Sequence, residues 1–289
     1  MGDSVEFDVV VVGSCNLDLV STTSHLPSPG ETLRAVSYAE HAGGKGLNQA
    51  VASARMGART AFIGCVGNDS AGIMLRDLLD AEGIDTSQLV TVDAPTGRAF
   101  ITVDESGENT IVIVAGANAH VGQTLITLPS SKVLLAQLEI PLDIVTQVFS
   151  QAQNAITVLN PAPAAPLSPE LLSLCDYVVP NETESGALGG TQFLLDSGVN
   201  TVITTLGERG AEISDATFMS SIAPYKVDAI DTVGAGDAFV GALCAELARG
   251  ETTEQAARIA SIAGALATTV HGAVPSLPTR AAVMSLYAD

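Results

Sequence analysis

Seven consecutive residues, Asp231-Thr232-Val233-Gly234-Ala235-Gly236-Asp237, set an acid and two glycines directly before an apolar stripe at Phe239, Leu243 and Leu247. That i, i+4, i+8 spacing marks one face of a helix, so the glycines open it. A helix start offers unpaired backbone N–H groups and the positive end of the dipole, and glycine lets an anion approach the backbone closely. Asp237, in the first turn, would stand beside that anion. Phosphoryl transfer needs little more: positioning, charge stabilisation and one carboxylate to take the proton of the attacking hydroxyl. Taken alone, Asp237 reads at least as well as an acid that only stabilises the helix start.

Gly43-Gly44-Lys45-Gly46-Leu47-Asn48-Gln49-Ala50 is a second glycine turn feeding a helix, with Lys45 and Asn48 one turn apart on the same side. It departs from a Walker A loop, because Ala39 stands where the first glycine belongs and neither Ser nor Thr follows the lysine. By itself it reads equally as a flexible loop with solvated polar residues. Asn181-Glu182-Thr183-Glu184 follows the apolar run Tyr177 to Pro180, which places it at the carboxyl end of a strand, where α/β sheets bind ligands. Alone it is an ordinary helix start; beside a phosphate site it suits metal and water positioning. His41, His120 and His271 belong to no carboxylate or cysteine pattern that marks a metal site.

The elements that must position these runs follow from the apolar pattern. Val9 to Val12 is a short β-branched run closed by Gly13, as expected of a strand buried on both faces. Similar runs recur at Thr60 to Val66, Val133 to Leu138, Ile156 to Leu159, Tyr177 to Val179 and Thr201 to Thr205. Helical patterns alternate with them, at Leu47 to Met56, Ala71 to Glu82 and Leu142 to Ala152, and two alanine-rich ones close the chain, Ala238 to Arg249 and Thr253 to Val270. Such alternation predicts an α/β fold with a mostly parallel sheet covered on both faces. Two stretches break the rhythm. Asn16 to Glu40 has strand-like ends around Pro27-Ser28-Pro29-Gly30, and Ala99 to Val114 reads as a hairpin around Glu105 to Glu108. Together they predict a small β lid over the sheet, with exposed edges that need covering; a homodimer joined lid to lid would do so.

The chain has 289 residues, the size of one large α/β domain, and we expect 1–289 to be a single domain with lid segments at about 15–41 and 97–115. A formal net charge of −20 with only 12 Lys and Arg argues against a nucleic-acid groove and an anionic membrane surface. A polyanionic ligand would therefore need positive potential concentrated locally, from helix N-termini, a metal ion and a few lysines. Cys15, Cys65, Cys175 and Cys244 lie far apart and read as buried, reduced thiols. Asp3, Glu6 and Asp8 occupy positions where a signal peptide would be basic. A cytoplasmic protein is the expectation.

Read together, these runs resemble the PfkB family of carbohydrate kinases, from Gly13-Ser14-Cys15-Asn16-Leu17-Asp18 to Gly272-Ala273-Val274-Pro275-Ser276. The similarity is greatest to its ribose-phosphorylating branch, through Pro29-Gly30-Glu31-Thr32, Ala115-Gly116-Ala117-Asn118, Gln137-Leu138-Glu139 and Asn160-Pro161-Ala162-Pro163 as well as the runs above. The resemblance implies a three-layer αβα sandwich with a β lid. It also implies ATP-dependent phosphorylation of the primary hydroxyl of D-ribose; alternatives are a nucleoside, deoxyribose or hexose, or an inactive sugar- or nucleotide-binding regulator.

Position by position, the resemblance implies that Asp237 is the base and Gly234, Ala235 and Gly236 the anion hole. Asn16, Asp18, Gly43, Gly44, Lys45, Asn48 and Glu139, with Asp237, would bind the sugar. Asn181, Glu184, Thr205, Gly207, Gly210, Gly236 and Ser261 would bind ATP. Glu184 would hold magnesium through water, and Asp231, Val233, Ala267, Val270, Gly272 and Ser276 would hold potassium. The stretch from Asn181 to Gly207 is shorter than its counterpart in typical members, as if a helix were trimmed or lost, and Ser261 stands where relatives often carry a larger side chain near the adenine.

Overall fold

Four successive valines decide the architecture. In the computed structural model, which describes residues 6–152 and 154–287, strand β1 (Phe7–Val12) buries Val9 to Val12 completely. Alternate side chains of a strand point to opposite faces. Val9 and Val11 accordingly join one apolar cluster and Val10 and Val12 another. A sheet with a core on each side must be covered by helices on each side, and this one is.

The chain continues through β2 (Asn16–Thr23), β3 (Ser37–Gly43), α1 (Lys45–Arg55), β4 (Thr60–Gly67), α2 (Ser70–Ala81) and β5 (Asp85–Val92). It proceeds through β6 (Gly97–Asp104), β7 (Asn109–Val114), β8 (Ser131–Gln137), α3 (Leu142–Gln151) and β9 (Ile156–Asn160). Then come α4 (Pro169–Ser173), β10 (Tyr177–Val178), α5 (Glu182–Ala187), α6 (Thr191–Asp196), β11 (Thr201–Thr205), β12 (Ala211–Asp215) and β13 (Met219–Ile222). The helices α7 (Ala235–Arg249), α8 (Thr253–Ala267), α9 (Ala273–Ser276) and α10 (Arg280–Tyr287) finish the described chain.

The large sheet has the order β13-β12-β11-β10-β9-β8-β1-β4-β5. It is parallel from β5 to β11 and antiparallel only in the β11-β12-β13 meander. One cluster packs α1, α2, α7 and α8 on one face, and the other packs α3, α4 and α6 on the opposite face. The fold is the expected three-layer α/β sandwich. Helices follow the predicted spans within a residue or two, except that α1 and α7 begin two and three residues earlier, and α8 ends three residues earlier, than the apolar pattern suggests. Between β10 and β11, where a helix was expected to be trimmed, stand the two six-residue helices α5 and α6. The pattern did not reveal β5, β12 and β13.

A second sheet, of order β3-β2-β6-β7, contains the two stretches that break the α/β rhythm. Its inner strands β2 and β6 run parallel, pairing Asn16 with Gly97 and Asp18 with Ala99, while β3 and β7 flank them antiparallel. β2 leaves the end of β1 after three residues, and β3 runs into α1 through Gly44. The second sheet therefore joins the core at the carboxyl end of its central strand.

Candidate active site

Helix α7 starts where Gly234 adopts φ 81°, in the left-handed region. A Cβ there would also lie 3.0 Å from the Ala273 Cα at the start of α9, so conformation and close packing both demand glycine. The turn uses the Ala235 N–H on the Thr232 carbonyl at 3.3 Å; the Gly236 and Asp237 N–H groups have no hydrogen bond among the described residues, as expected in a first helical turn. Both residues line an open cleft of about 220 Å³. A Cβ built on Gly236 meets nothing within 4 Å, so the space beside that backbone is free for a ligand.

Asp237 itself is buried, with 8% of its surface exposed. Its Oδ2 accepts a hydrogen bond from Asn48 Nδ2 at 2.9 Å and its Oδ1 one from Gln49 Nε2 at 2.8 Å. Both donors come from the first turn of α1, which packs beside α7. The carboxylate is thus held at the mouth of two helices, facing the cleft. Asn48 Oδ1 is buried without a hydrogen-bond partner, an acceptor that a ligand hydroxyl would satisfy.

The sugar-side residues assemble from the second sheet and the core. Asn16 is buried and its Oδ1 accepts from Asn118 Nδ2 at 2.8 Å, while Asn118 Oδ1 accepts the Cys15 N–H at 2.9 Å. The Asn16 amide is thereby fixed with its own N–H groups left to donate. Glu139 Oε2 accepts from Ser14 Oγ at 2.5 Å and from the Lys45 N–H at 3.0 Å. Asp18 packs on Gly43 so closely that a Cβ at Gly43 would sit 2.1 Å from Asp18 Oδ2. Burial pushes the Asp18 carboxyl up to about 7, with the charges of Glu139 and Asp237 adding to the effect. Three carboxylates from separate elements therefore converge on one space.

Of the residues expected to bind ATP, Asn181, Glu184, Thr205 and Gly236 lie on the walls of the cleft, beside Thr232 and Asp237. Asn181 and Glu184 also form a capping box, the Asn181 N–H donating to Glu184 Oε2 at 2.8 Å and the Glu184 N–H to Asn181 Oδ1 at 2.7 Å. They start a helix and line the cleft at once. Burial raises the Glu184 carboxyl, opposed by the Asn181 N–H and Lys45. Lys45 serves both sides: its backbone holds Glu139, and its side chain lines the cleft with Asn181. Burial opposes its charge, but Asp237, Glu139 and Glu184 outweigh this and hold its ammonium above its ordinary value. Gly207, Gly210 and Ser261 are not on the cleft walls. Gly207–Arg209 is a single helical turn, and Gly210 packs against the backbone of Ile222 to Pro224.

Of the residues expected to hold potassium, Asp231, Val233, Gly272 and Ser276 lie near the start of α7. Asp231 Oδ1 accepts the Val233 N–H at 3.0 Å and its Oδ2 the Gly272 N–H at 2.8 Å, which ties segment 231–233 to Gly272. Ser276 Oγ donates to the Ala273 carbonyl at 2.7 Å, directly behind Gly234. Among the described residues there is no group of three or more His, Cys, Asp or Glu that could hold a metal. The cleft wall carries two carboxylates, Glu184 and Asp237, and one ammonium, Lys45.

Sequence reasoning left out Ser14, Gln49, Asn118, Asn160 and Thr232. All five stood inside quoted motifs, but nothing in spacing distinguishes a buried amide or hydroxyl from a solvated one.

With this geometry in view, the comparisons with known proteins are direct. The pfkB family of carbohydrate kinases matches residues 6–280. A ribokinase of Haemophilus influenzae is 40% identical over 293 residues, covering 94% of this chain and 95% of that protein. The crystal structure of a ribokinase from Thermotoga maritima aligns with a TM-score of 0.92 at 36% identity, covering 98% of this chain and 100% of that one. An Arabidopsis thaliana ribokinase complexed with ribose and ATP aligns with a TM-score of 0.85 at 31% identity, covering 97% and 98% of the two chains. The match over nearly the whole length means that this chain belongs to the pfkB family of carbohydrate kinases.

Proposed function

We propose that the protein transfers the γ-phosphoryl group of ATP to the primary hydroxyl of D-ribose, giving ribose 5-phosphate and ADP. The observation that carries this reading is the position of Asp237: a buried carboxylate at the start of α7, beside the free Gly236 and Asp237 N–H groups and within electrostatic reach of Asp18. Asn16, Asp18, Gly43, Gly44, Asn48 and Glu139 would hold the sugar, since amides and carboxylates facing each other suit hydroxyls that both donate and accept. Asp237 takes the hydroxyl proton as the oxygen attacks phosphorus, the bond to the ADP oxygen breaks, and the free N–H groups stabilise the charge on the transferring group. Lys45 would stand close to the sugar, and Asn181, Glu184 and Thr205 would lie along the phosphates.

Glu184 would hold magnesium through water, and Asp231, Val233, Ala267, Val270, Gly272 and Ser276 would hold potassium. When bound, these ions supply the positive charge that this acidic chain lacks. Gly207, Gly210 and Ser261 would contact the nucleotide beyond the phosphates.

An ADP-release assay across ribose, deoxyribose, fructose and adenosine, with and without potassium, tests the reading. Ribose should give the highest kcat/KM, and potassium should raise the rate. Preference for adenosine would redirect the substrate; no turnover on any of them would make the chain a binding regulator.

The four-stranded sheet would act as the lid of a single domain and as the interface of a homodimer. β7 is an edge strand exposed along its whole length, with Ile111, Val112, Ile113 and Val114 bare, an edge that proteins ordinarily cover. Replacing Ile111 and Val112 together by Asp should leave a folded monomer by light scattering at micromolar concentration, where the unmodified chain is a dimer; a monomeric unmodified chain would refute the interface. The free, buried cysteines suit the reducing cytoplasm, and no helix among the described residues is long and apolar enough to cross a membrane.

A further inference from the structure

The direction of the Asn16 amide is decided by its buried neighbour Asn118. Asn118, 1% exposed, grips the backbone of Cys15 at both ends: its Oδ1 accepts the Cys15 N–H at 2.9 Å and its Nδ2 donates to the Cys15 carbonyl at 3.1 Å. A backbone N–H and carbonyl cannot exchange places, so a half-turn of the Asn118 amide would set oxygen against oxygen and N–H against N–H. Its polarity is fixed by the main chain. The second Nδ2 hydrogen goes to Asn16 Oδ1 at 2.8 Å, and Asn16 must therefore keep its oxygen toward Asn118 and its NH2 away.

That NH2 is what the fold does not account for. Asn16 is 2% exposed, yet its Nδ2 makes no hydrogen bond among the described residues. A nearly buried donor left unpaired is unfavourable. Stability asks only that Asn118 find an acceptor; it gives no reason for a donor on the far side of that acceptor. Asn16 lies two residues from Asp18 on β2 and shares its face, and the Asp18 carboxyl is within electrostatic reach of Glu139 and Asp237. The groups gathered there are acceptors: three carboxylates, and Asn48 Oδ1, which is buried without a partner. Asn16 brings a donor among them. The first residue of β6 keeps room for this arrangement, since a Cβ at Gly97 would sit 2.2 Å from Asn118 Nδ2 and 2.3 Å from Asn16 Oδ1.

We propose that Asn118 is a positioning residue for sugar recognition: acting through Asn16, it fixes that amide as a donor, so that this point of the site takes a sugar oxygen while hydroxyl protons go to the carboxylates. The inference rests on the reading of the site as a sugar site. Without Asn118, the Asn16 oxygen finds a partner only by turning into the water of the site, and an incoming sugar has to displace that water and leave the oxygen buried and unpaired. Asn118 touches neither the base nor the phosphate side, so its effect belongs in the ribose KM.

The test is a cycle of Asn118→Leu, Asn16→Ala and the double variant, with KM measured for ribose and for ATP beside the unmodified enzyme. Asn118→Leu should raise the ribose KM about tenfold, the scale of one buried polar group left unpaired, with kcat and the ATP KM within about twofold. In the Asn16→Ala chain the same change should move the ribose KM less than about twofold, because Asn118 has no other route to the sugar. Loss of the two Cys15 bonds should lower the melting temperature in both backgrounds, so the ribose KM is what separates a positioning role from a structural one. An unchanged ribose KM, an equal rise in both backgrounds, or a parallel rise of the ATP KM would each overturn the proposal. If Asn118→Leu does not fold, Gly97→Ala takes its place in the cycle with the same expectations, since its methyl comes between the two amides. Absence of turnover by the unmodified enzyme on every sugar sinks the functional reading as well, whereas normal turnover with a cycle that shows no coupling sinks only the positioning role.

Discussion

Asp237→Asn should lose kcat by about 10² to 10⁴, the usual scale for removing a general base, while still binding ribose by calorimetry. The substitution keeps the shape of the side chain but exchanges one accepting oxygen for a donor. Asn48 Nδ2 and Gln49 Nε2 both donate to the carboxylate, so one of them would then face an NH2 group. A modest drop in melting temperature should accompany the kinetic loss. Near-normal turnover would remove Asp237 from the chemistry, and the glycine-opened helix would revert to a structural feature.

Replacing Asp18 should uncouple stability from function. Its carboxyl is pushed up to about 7 by burial and by Glu139 and Asp237, above its unfolded value near 3.8. The folded chain therefore holds a proton there that the unfolded chain releases, and stability from this group falls as pH rises from about 4 to 7. Above pH 7 the full penalty of the buried charge remains. Asp18→Asn removes it, and should stabilise the protein by on the order of 2 to 4 kcal/mol at pH 8 with little gain at pH 4. The same change should raise the ribose KM at least tenfold, because a hydroxyl donating to a charged acceptor loses more than one donating to an amide. Thermal melts of both proteins from pH 4 to 9 provide the check; a melting-temperature difference that stays constant with pH would contradict it.

The legible parts of this molecule are those in which one residue type suffices for a decision. Valines 9 to 12 can only be a strand buried on both faces, and the helix opened by Gly234 to Gly236 is marked by its own stripe. β5, β12 and β13 were not legible because they lie at or next to the ends of the sheet and mix polar with apolar residues; β12 and β13 are also short, and β5 alternates exposed and half-buried positions with a single buried leucine. Lys45 was read as a neighbour of the sugar. It also lines the cleft with Asn181, while its backbone N–H donates to Glu139, a double part that no spacing rule expresses. Gln49, Gln137 and Asn118 were invisible for a related reason. An amide within an element looks solvated until the tertiary fold buries it.

The place of β1 in the sheet also bears on how the molecule comes into being. Its strand neighbours are β4, through Val9 and Thr60, and β8, through Val9 and Val133, while α7, near the other end of the chain, packs across α1 on its face. The valines of β1 thus lack part of their cover until α7, which ends at Arg249, has formed. Folding that depends on such distant partners is slow and cannot proceed piecewise from the N-terminus. An interrupted synthesis would leave a chain with a bare apolar strand and no phosphate site, recognisable to the quality-control machinery and incapable of spending ATP.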